Sequence, residues 1–526
     1  MTIGLDGDRL SWGDALFLYL ERAGMPLNIA SLSLFEGEIS LRACTEFIAS
    51  KLPLLPRYYQ RVVVPPLNIG FPTWEYDPKF DIHNHIREIK LKRGSEAELK
   101  KVAGKLLGNV MDRQRPLWDF TLLSGVQSNR TAIITRIHHC LADGVAGVGL
   151  MNVLLDPDPE PRPVPLKKKP HIPRRQRDPW TRLLDGWLSS YSDAVGRLLS
   201  TYSDIADLSQ KLAGSGSWPT DKLPAFLSEI TAPTQRLFFN VTYQGPQRFA
   251  YTKIPVSGIK AVREKLGGTF NDVILTIVTS TIRRYVELHG DNVRGRLFRM
   301  MVPVNVRGCD STSELGNRIL LLPVTVPLGI RDPKRLLNAV HKRMDFLKNA
   351  QVAELFGLAG GLIGAAPAAL QALVGPVASL LPVTPFNLVC TNIRGPNAPL
   401  YLLGHKMIDW YPYVPVGGEM ALNCAVLSYD GMAYFGFSGD VHAAPDIGRL
   451  ESLLRQSFIE LQHASTPDSR GPRKVPRRPV ASSVSSRKSP LRIDKTISEQ
   501  PVVTHAAPKM QQVPDDMVMP AAVAAD

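Results

Sequence analysis

One string in the sequence has residue types suited to proton transfer, His138-His139-Cys140-Leu141-Ala142-Asp143-Gly144. A histidine can take a proton from a hydroxyl group near neutral pH, because its ordinary pKa is about 6.5. An aspartate four residues after His139 could hold the local backbone, and Gly144 behind it would permit a tight turn. The string is therefore a candidate active site.

Three other interpretations of the string need weighing. Two histidines and an aspartate could bind a metal, but neighbours on a strand point to opposite faces and no third ligand is evident. A nucleophilic pair of His139 and Cys140 is disfavoured for the same geometric reason. A pair of hydrogen-bonded core histidines remains open, since the spacing alone does not separate it from an active site.

The segments on either side of the string should place it at the end of a strand. Residues 130–137 are rich in β-branched types, which predicts a strand that runs into His138. Apolar residues from Val145 to Val153 have helical spacing, so a helix should follow. Further upstream the sequence predicts a helix over 10–23, opened by Ser11, and a strand over 29–35.

The chain is long enough for two folded halves with a linker and a tail. The prolines from residue 156 to residue 179 exclude a helix or a central strand there, so we expect an extended linker. In the second half the sequence predicts a helix over 272–287 and a strand over 300–304. The predicted parts are an N-terminal α/β half, a basic linker with exposed helices, a C-terminal α/β half and a disordered tail, at 1–156, 157–214, 215–464 and 465–526.

The net charge of +14 is concentrated in two proline-rich stretches. Residues 157–182 carry a net +5 and residues 470–495 a net +8, so the folded halves are close to neutral. A basic patch with interleaved aromatic residues is missing, which argues against nucleic-acid binding. The basic stretches suit either an anionic membrane surface or a solvated linker and tail, and these two interpretations stay open.

Cysteine use and the uncharged segments bear on location. The five cysteines are scattered without a CxxC pair, which fits a reducing compartment, and residues 1–14 do not resemble a secretory signal. We therefore expect a cytoplasmic protein.

No charged residue occurs over 355–393, but prolines and glycines interrupt this run. We expect one or two apolar helices there, buried or lying at a membrane interface, and no membrane span.

Several further motifs carry a resemblance to a known family. The string His138–Gly144 fits HHxxxDG, the acyl-transfer motif of the chloramphenicol acetyltransferase-like superfamily. The chain most resembles one branch of that superfamily, the bacterial wax ester synthase/diacylglycerol acyltransferase family, over about residues 8–463. The supporting passages are LSWGDALFLYLE at 10–21, PLW at 116–118, ND at 271–272, PVNVRG at 303–308 and CTNIRGP at 390–396.

The resemblance implies a fold and a set of residue roles. The fold would be the two-subdomain α/β fold of CoA-dependent acyltransferases and condensation domains, with the active site at the subdomain interface. His139 would be the general base, and His138 would support the pocket. Asp143 would be structural and would pair with an arginine, for which the candidates are Arg57, Arg61 and Arg307.

Four residues are candidates for substrate binding: Gly144, Trp118, Asn271 and Asn392. Trp118 would shape the acyl channel or would be an ordinary core tryptophan. Asn271 would donate a hydrogen bond near the reacting centre, or cap the helix that follows it, or both. Asn392 lies in a motif that departs from the family at Thr391 and Arg394, where serine and proline are usual.

The resemblance also implies the reaction. We expect transfer of a long-chain fatty acyl group from acyl-CoA to diacylglycerol or to a long-chain alcohol, with CoA arriving as part of the substrate and no metal or other cofactor. A peripheral position on the plasma membrane or on lipid droplets is a hypothesis. The alternatives are a condensation-type enzyme that uses a carrier protein and a family member that binds lipid with little catalysis.

Overall fold

The structure is a computed structural model that describes residues 9–22, 25–68, 70–160, 234–305, 319–349, 368–373 and 386–466. Most of the predicted linker, its exposed helices and the tail from residue 467 lie outside the described residues. The structure therefore bears on the two α/β halves and not on the basic stretches.

Helices and strands alternate through both halves. The helices are α1 (Trp12–Leu20), α2 (Leu41–Lys51), α3 (Glu96–Leu107), α4 (Gly144–Leu154), α5 (Val256–Leu266), α6 (Phe270–Leu288), α7 (Pro333–Asn349), α8 (Ala368–Gln371) and α9 (Arg449–Ser465). The strands are β1 (Asn28–Glu36), β2 (Gln60–Val63), β3 (Thr73–Tyr76), β4 (Ile86–Lys90), β5 (Trp118–Val126), β6 (Arg130–His138), β7 (Gln247–Pro255), β8 (Leu297–Asn305), β9 (Ile319–Pro327), β10 (Leu388–Arg394), β11 (Tyr401–Leu402), β12 (His405–Tyr413), β13 (Leu422–Tyr429) and β14 (Met432–Asp440).

Within the described residues the strands form two six-stranded sheets and a small two-stranded one. The first sheet has the order β11-β12-β1-β6-β5-β4, and the second has the order β7-β14-β13-β10-β8-β9. In the first sheet β6 lies between β1 and β5 and is antiparallel to both. The candidate string therefore begins at the end of a central strand, which fixes its backbone on two sides.

The first sheet contains strands from both halves of the sequence. Strands β11 and β12 come from the C-terminal half, yet they complete the first sheet through the antiparallel pairing of β12 with β1. Long-range strand pairing is not encoded in local pattern, so the division at residue 156 could not anticipate this exchange. The two halves consequently share a sheet as well as an interface.

Each sheet is covered by helices and has its own apolar core. The core of the second sheet includes one face of α6, whose residues from Val273 to Val286 are largely buried. The core of the first sheet contains Trp118 and the central residues of β6. A smaller third cluster joins α1 to β2 and β3 and includes Leu18, Trp74 and Cys140. This third cluster brings α1 to the end of β6.

The sequence-based elements are confirmed, with small shifts at their ends. The helix predicted over 10–23 spans Trp12–Leu20, and Ser11 caps it by accepting a hydrogen bond from the Asp14 amide. The strand predicted over 130–137 extends one residue further to His138. The predicted helix over 272–287 and strand over 300–304 correspond to α6 and β8.

The uncharged run over 355–393 differs from the expectation at its end. Its last six residues, from Leu388 to Ile393, belong to strand β10 and not to a helix. This strand lies parallel to β8 and β13 in the middle of the second sheet, where a continuous apolar sequence is expected. The other described parts of the run are residues 368–373, which contain α8, and residues 386–387 directly before β10.

The start of the predicted linker is anchored on the first sheet. Asp156 forms a buried ion pair with Lys51, with Nζ 2.8 Å from Oδ1, and exchanges two backbone hydrogen bonds with Tyr401. A buried charge needs such a partner because its desolvation is costly. The chain therefore leaves the N-terminal half from a fixed point beside β11.

Candidate active site

His138 is the last residue of β6 and is completely buried. Its backbone amide donates to the carbonyl of Leu117, and it lies opposite Asn28 of β1. The ring Nδ1 accepts a hydrogen bond of 3.1 Å from the amide of Cys140. The proton of a neutral His138 must therefore be on Nε2, which lies 3.3 Å from Oε1 of Glu21.

Glu21 is a functional residue that the sequence did not single out. Its side chain is buried at the C-terminal end of α1, where Oε1 accepts from the Leu27 amide and Oε2 accepts from Arg113. Burial raises the pKa of Glu21, but the contacts with His138, Leu27 and Arg113 outweigh it, and the net pKa is lowered. A charged Glu21 thus faces His138, and only the family-like opening passage 10–21 hinted at this position.

His139 follows the strand and is half-buried. Its ring stacks on Phe17 with centroids 3.8 Å apart and an angle of 11° between the planes. Nδ1 is buried and has no hydrogen-bond partner among the described residues. Because one face and Nδ1 are covered, Nε2 is the ring nitrogen that can meet a substrate hydroxyl.

Burial determines the protonation state of His139. The pKa of the ring is lowered to about 4, chiefly by desolvation; its own backbone raises the pKa in part, the neighbouring His138 lowers it, and Asp143 has a smaller raising effect. The imidazole is neutral at physiological pH. A neutral imidazole is the form that accepts a proton.

Helix α1 positions both histidines. Phe17 contacts His139 and Glu21 contacts His138, and residues four apart lie on the same side of a helix. Arg113 fixes the end of the helix by donating to the Leu18 carbonyl and to Glu21. One short helix therefore contacts two adjacent side chains, His138 at the end of β6 and His139 in the turn that follows.

Asp143 and Gly144 form the start of α4. Asp143 is the N-cap, and its Oδ1 accepts a hydrogen bond of 2.6 Å from the Ala146 amide. Gly144 does not have the positive φ of the tight turn expected from the sequence. It is the first residue of the helix, and a β-carbon there would lie 2.3 Å from Cδ1 of Ile393, so the end of that side chain would have to shift. Close approach to Ile393, and not turn geometry, is therefore what favours glycine at this position.

The structure does not assign the arginine partner predicted for Asp143, and that pairing stays a prediction. Arg57 donates to Gln60, 2.8 Å away, and lies over the ring of Trp74. Arg61 has a buried Nε without a hydrogen-bond partner among the described residues. Arg307 lies outside the described residues. The structural role predicted for Asp143 agrees with its position as a helix cap.

Trp118 is a buried residue of the first core. Its indole N–H donates to the Tyr58 carbonyl at 2.8 Å, and its ring stacks on His85 with centroids 4.4 Å apart. The exposed fraction of Trp118 is 1%. Of the two roles weighed for this residue, its surroundings favour the core tryptophan, and the channel role stays a prediction.

Asn271 and Asn392 meet, although they come from motifs about 120 residues apart. Nδ2 of Asn392 donates to Oδ1 of Asn271 at 3.0 Å. The helix cap expected at Asn271 is wrong, because Thr269 is the N-cap of α6 and forms a capping box with Asp272. Asn271 is the second residue of the helix, so its side chain is free to make this contact. Asn271 Nδ2 and Asn392 Oδ1 are then left for other partners.

Ile393 connects the two groups of candidate residues. It follows Asn392 in β10, and its side chain lies against Gly144 at the start of α4. The structure therefore brings Gly144, and with it the start of α4 in the N-terminal half, to the strand that carries Asn392. The sequence predicted each motif but not this junction.

The structure also bears on the two alternatives to a histidine base. Cys140 is buried, and burial, followed by the charges of Asp14 and Glu21, raises the pKa of its thiol well above the usual range. Such a thiol is a poor nucleophile. In the part of the chain that the structure describes, no group of three or more histidine, cysteine, aspartate or glutamate side chains is arranged to hold a metal ion.

The architecture is similar to that of two kinds of solved protein. A wax ester synthase/diacylglycerol acyltransferase from Marinobacter aquaeolei VT8 matches with a TM-score of 0.57 at 22% sequence identity, over 87% of this chain and 99% of that one. The first condensation domain of the calcium-dependent antibiotic synthetase matches with a TM-score of 0.52 at 14% identity, over 87% and 96%. The fold is therefore the two-subdomain α/β fold of acyltransferases and condensation domains, as predicted.

Sequence comparison identifies the family. Residues 10–274 match the wax ester synthase/diacylglycerol acyltransferase catalytic domain, and residues 315–462 match the C-terminal domain of the same family. Two relatives from Mycobacterium tuberculosis (strain H37Rv), the probable diacylglycerol O-acyltransferases tgs1 and tgs2, are each 28% identical to this chain. The matches cover 85% of this chain and 94% of tgs1, and 87% of this chain and 99% of tgs2. The chain belongs to the wax ester synthase/diacylglycerol acyltransferase family, and it is an acyltransferase.

The low pKa of His139 predicts a flat pH profile around neutrality. A base whose pKa is about 4 stays unprotonated throughout the range from about pH 5 to pH 8, so kcat/KM should not fall as the pH drops through 6.5. The acid limb should have its midpoint near pH 4. Initial rates measured at subsaturating acceptor across this range test the prediction, and an acid limb with a midpoint between about 6 and 7 would contradict it.

The contact between Glu21 and His138 predicts an effect on kcat. In Glu21→Gln the carboxylate that faces Nε2 of His138 is lost, and the end of β6 is held less firmly. We expect kcat to fall by up to about 10²-fold, because small displacements of reacting groups have effects of this size. KM for the acyl donor should change little. The exposed Glu46, which forms an ion pair with Arg42 on its own helix, gives the matched control Glu46→Gln. Equal kcat values for the two variants would refute the positioning role.

Proposed function

We propose that this protein transfers a long-chain fatty acyl group from acyl-CoA to diacylglycerol, and in a second activity to a long-chain alcohol. The observation that carries the proposal is His139, a neutral and half-buried imidazole at the end of β6, inside an intact HHxxxDG motif. Diacylglycerol is put first because the mycobacterial relatives are named as diacylglycerol O-acyltransferases.

In the proposed mechanism His139 is the general base. Its Nε2 accepts the proton of the acceptor hydroxyl while the oxygen attacks the carbonyl carbon of the thioester. The tetrahedral intermediate then expels the CoA thiolate, which takes the proton from His139. The carbon–sulfur bond breaks and an ester bond forms, with no acyl-enzyme and no cofactor beyond the CoA that arrives with the acyl group. A positioned base of this kind contributes about 10²–10⁴-fold to the rate.

The other site residues act around this base. His138, held by Glu21, supports the end of β6, and Asp143 fixes the first turn of α4 as its cap. The free Nδ2 of Asn271 is the donor proposed to stabilise the negative charge that develops on the carbonyl oxygen. Asn392 orients that amide, and Gly144 allows Ile393 to approach.

The surroundings of His139 suit a lipid substrate. Phe17 covers one face of the ring, and Val145, directly after Gly144, leaves much of its side chain exposed. An apolar surface beside the base favours acyl chains over polar acceptors, since burying it against a chain removes it from water. This supports a lipid acceptor but does not distinguish diacylglycerol from a fatty alcohol.

We propose in addition that the protein works at a lipid surface, on the membrane or on a lipid droplet, because its acceptors are insoluble in water. Leu370 and Leu373 are 58% and 52% exposed, and helix α8, which carries Leu370, packs beside the turn at Pro66–Asn68. Val64, close to that turn, is also exposed. Exposed apolar side chains grouped in this way are typical of interaction sites. None of the helices in the described part of the chain has the length and hydropathy of a membrane span.

The proposed mechanism predicts that His139→Ala loses most of its turnover. Radiolabelled palmitoyl-CoA is offered with dioleoylglycerol and, separately, with hexadecanol, and the ester products are quantified. Ester formation should fall by about 10²–10⁴-fold, because the general base is gone. The acceptor that gives the higher kcat/KM identifies the preferred product.

The matched control is His83→Ala, which removes an exposed histidine of the same half and should leave the rate unchanged. Equal activity of His139→Ala and the unmodified protein would reject His139 as the base. Transfer from an acyl carrier protein but not from palmitoyl-CoA would favour the condensation-type alternative, and lipid binding without turnover would favour the non-catalytic one.

Lipid-surface binding predicts a specific loss when the patch near α8 is charged. In a flotation assay with vesicles containing anionic lipid, the double variant Leu370→Glu, Leu373→Glu should float several-fold less than the unmodified chain, because a carboxylate resists transfer into lipid. Leu288→Glu, at a similarly exposed leucine of α6, is the control and should float normally. Equal flotation of all three proteins would show that α8 is not part of the lipid-binding surface.

A further inference from the structure

Phe17 covers the ring of His139 with an almost parallel stack, 3.8 Å between centroids. From this contact we infer that Phe17 is a positioning residue that keeps water away from the base, and that it thereby determines whether the acyl group goes to an alcohol or to water. The inference rests on the proposed role of His139. The inference gives Phe17 a role in specificity, whereas the transfer mechanism itself assigns it no role.

The chemical problem is competition between two hydroxyl compounds. A base that removes the proton of an alcohol beside a thioester can remove the proton of water in the same place. With water the oxygen attacks the carbonyl carbon, the carbon–sulfur bond breaks, and the proton passes through His139 to the thiolate. The products are a free fatty acid and CoA. An acyltransferase avoids this loss only by excluding water from the base, which is a recognised function of closed active sites.

The geometry shows how the base is covered. Phe17 lies on one face of the ring, and Nδ1 is buried without a partner among the described residues. The titratable groups that act on the ring are His138 and Asp143, and Glu21 faces His138 from α1. Desolvation has the largest effect on the pKa of His139, ahead of all these groups. Removal of the Phe17 ring should therefore expose the His139 ring to water.

Helix α1 offers a matched control for this inference. Tyr19 lies two residues after Phe17, about 200° away around the helix, and packs against the cluster that contains Leu18 and Trp74. Its hydroxyl oxygen is buried. Tyr19→Leu removes an aromatic ring from the same helix without removing the one that covers His139. Phe17→Leu removes the covering ring but keeps a side chain of similar hydrophobicity.

The test measures how palmitoyl-CoA is divided between two products. Radiolabelled free palmitate and radiolabelled ester are quantified in the same reaction with dioleoylglycerol. We expect the ratio of palmitate to ester to rise about tenfold in Phe17→Leu and to stay unchanged in Tyr19→Leu. Phe17→Tyr, which retains the stacked ring, should restore the low ratio. After the palmitate formed in a reaction without enzyme is subtracted, the ratio does not depend on the amount of folded enzyme, so partial unfolding of a variant cannot produce the result.

A second measurement follows the base directly. The acid limb of total thioester cleavage should move from about pH 4 toward the ordinary histidine value of 6.5 in Phe17→Leu, as water reaches the ring. An unchanged ratio and an unchanged limb in Phe17→Leu would overturn the inference, as would the same changes in Tyr19→Leu. Failure of the proposed mechanism has a different signature, since His139→Ala would then retain both ester formation and hydrolysis.

Discussion

The buried carboxylate of Glu21 is the interaction on which the geometry of the site depends. It joins four separate pieces of chain: the end of α1, the Leu27 amide before β1, Arg113 in the loop before β5, and His138 at the end of β6. The carbonyl of Leu27 also accepts a hydrogen bond from the His139 amide. Leu27 therefore binds the backbone of His139 directly, and it binds the carboxylate that faces His138. A buried charge is tolerated only when its partners are in place, which makes this arrangement specific.

A second constraint acts between the halves of the chain. The start of α4 and strand β10 approach each other so closely that a β-carbon at Gly144 would displace the end of the Ile393 side chain. The neighbouring Asn392 reaches across to Asn271 at the start of α6. The capping box of Thr269 and Asp272 fixes that start, and Asp272 is further held by His341 of α7 at 2.8 Å. Local helix-capping chemistry thus positions the start of α6, where Asn271 meets Asn392 of β10.

The sequence predicted the local features of this arrangement and the family, but not the contacts that assemble it. The strand β6, the helices α4 and α6 and the cap at Ser11 follow from β-branched composition, apolar spacing and capping preference. These signals depend on neighbours within a few residues. The position of the histidine string at a strand end was predictable for the same reason.

What escaped prediction depends on residues far apart in sequence. Glu21 and Phe17 are ordinary members of an amphipathic helix until β6 is placed beside them, about 120 residues later. The exchange of β11 and β12 into the first sheet gives no local signal, because any strand with a suitable face could pair with β1. The cap at Asn271 was assigned to the wrong residue because asparagine and threonine are both good caps, and only geometry selects Thr269.

The low pKa of His139 lowers its strength as a base, yet this suits transfer to a lipid alcohol. A weaker base drives proton removal less strongly, but one that is never protonated near neutrality is always available. In the proposed mechanism, the burial that lowers the pKa of His139 also keeps water, the competing acceptor, away from the base. Helix α1 contributes to this burial by placing an aromatic ring on His139, and it places a carboxylate against His138.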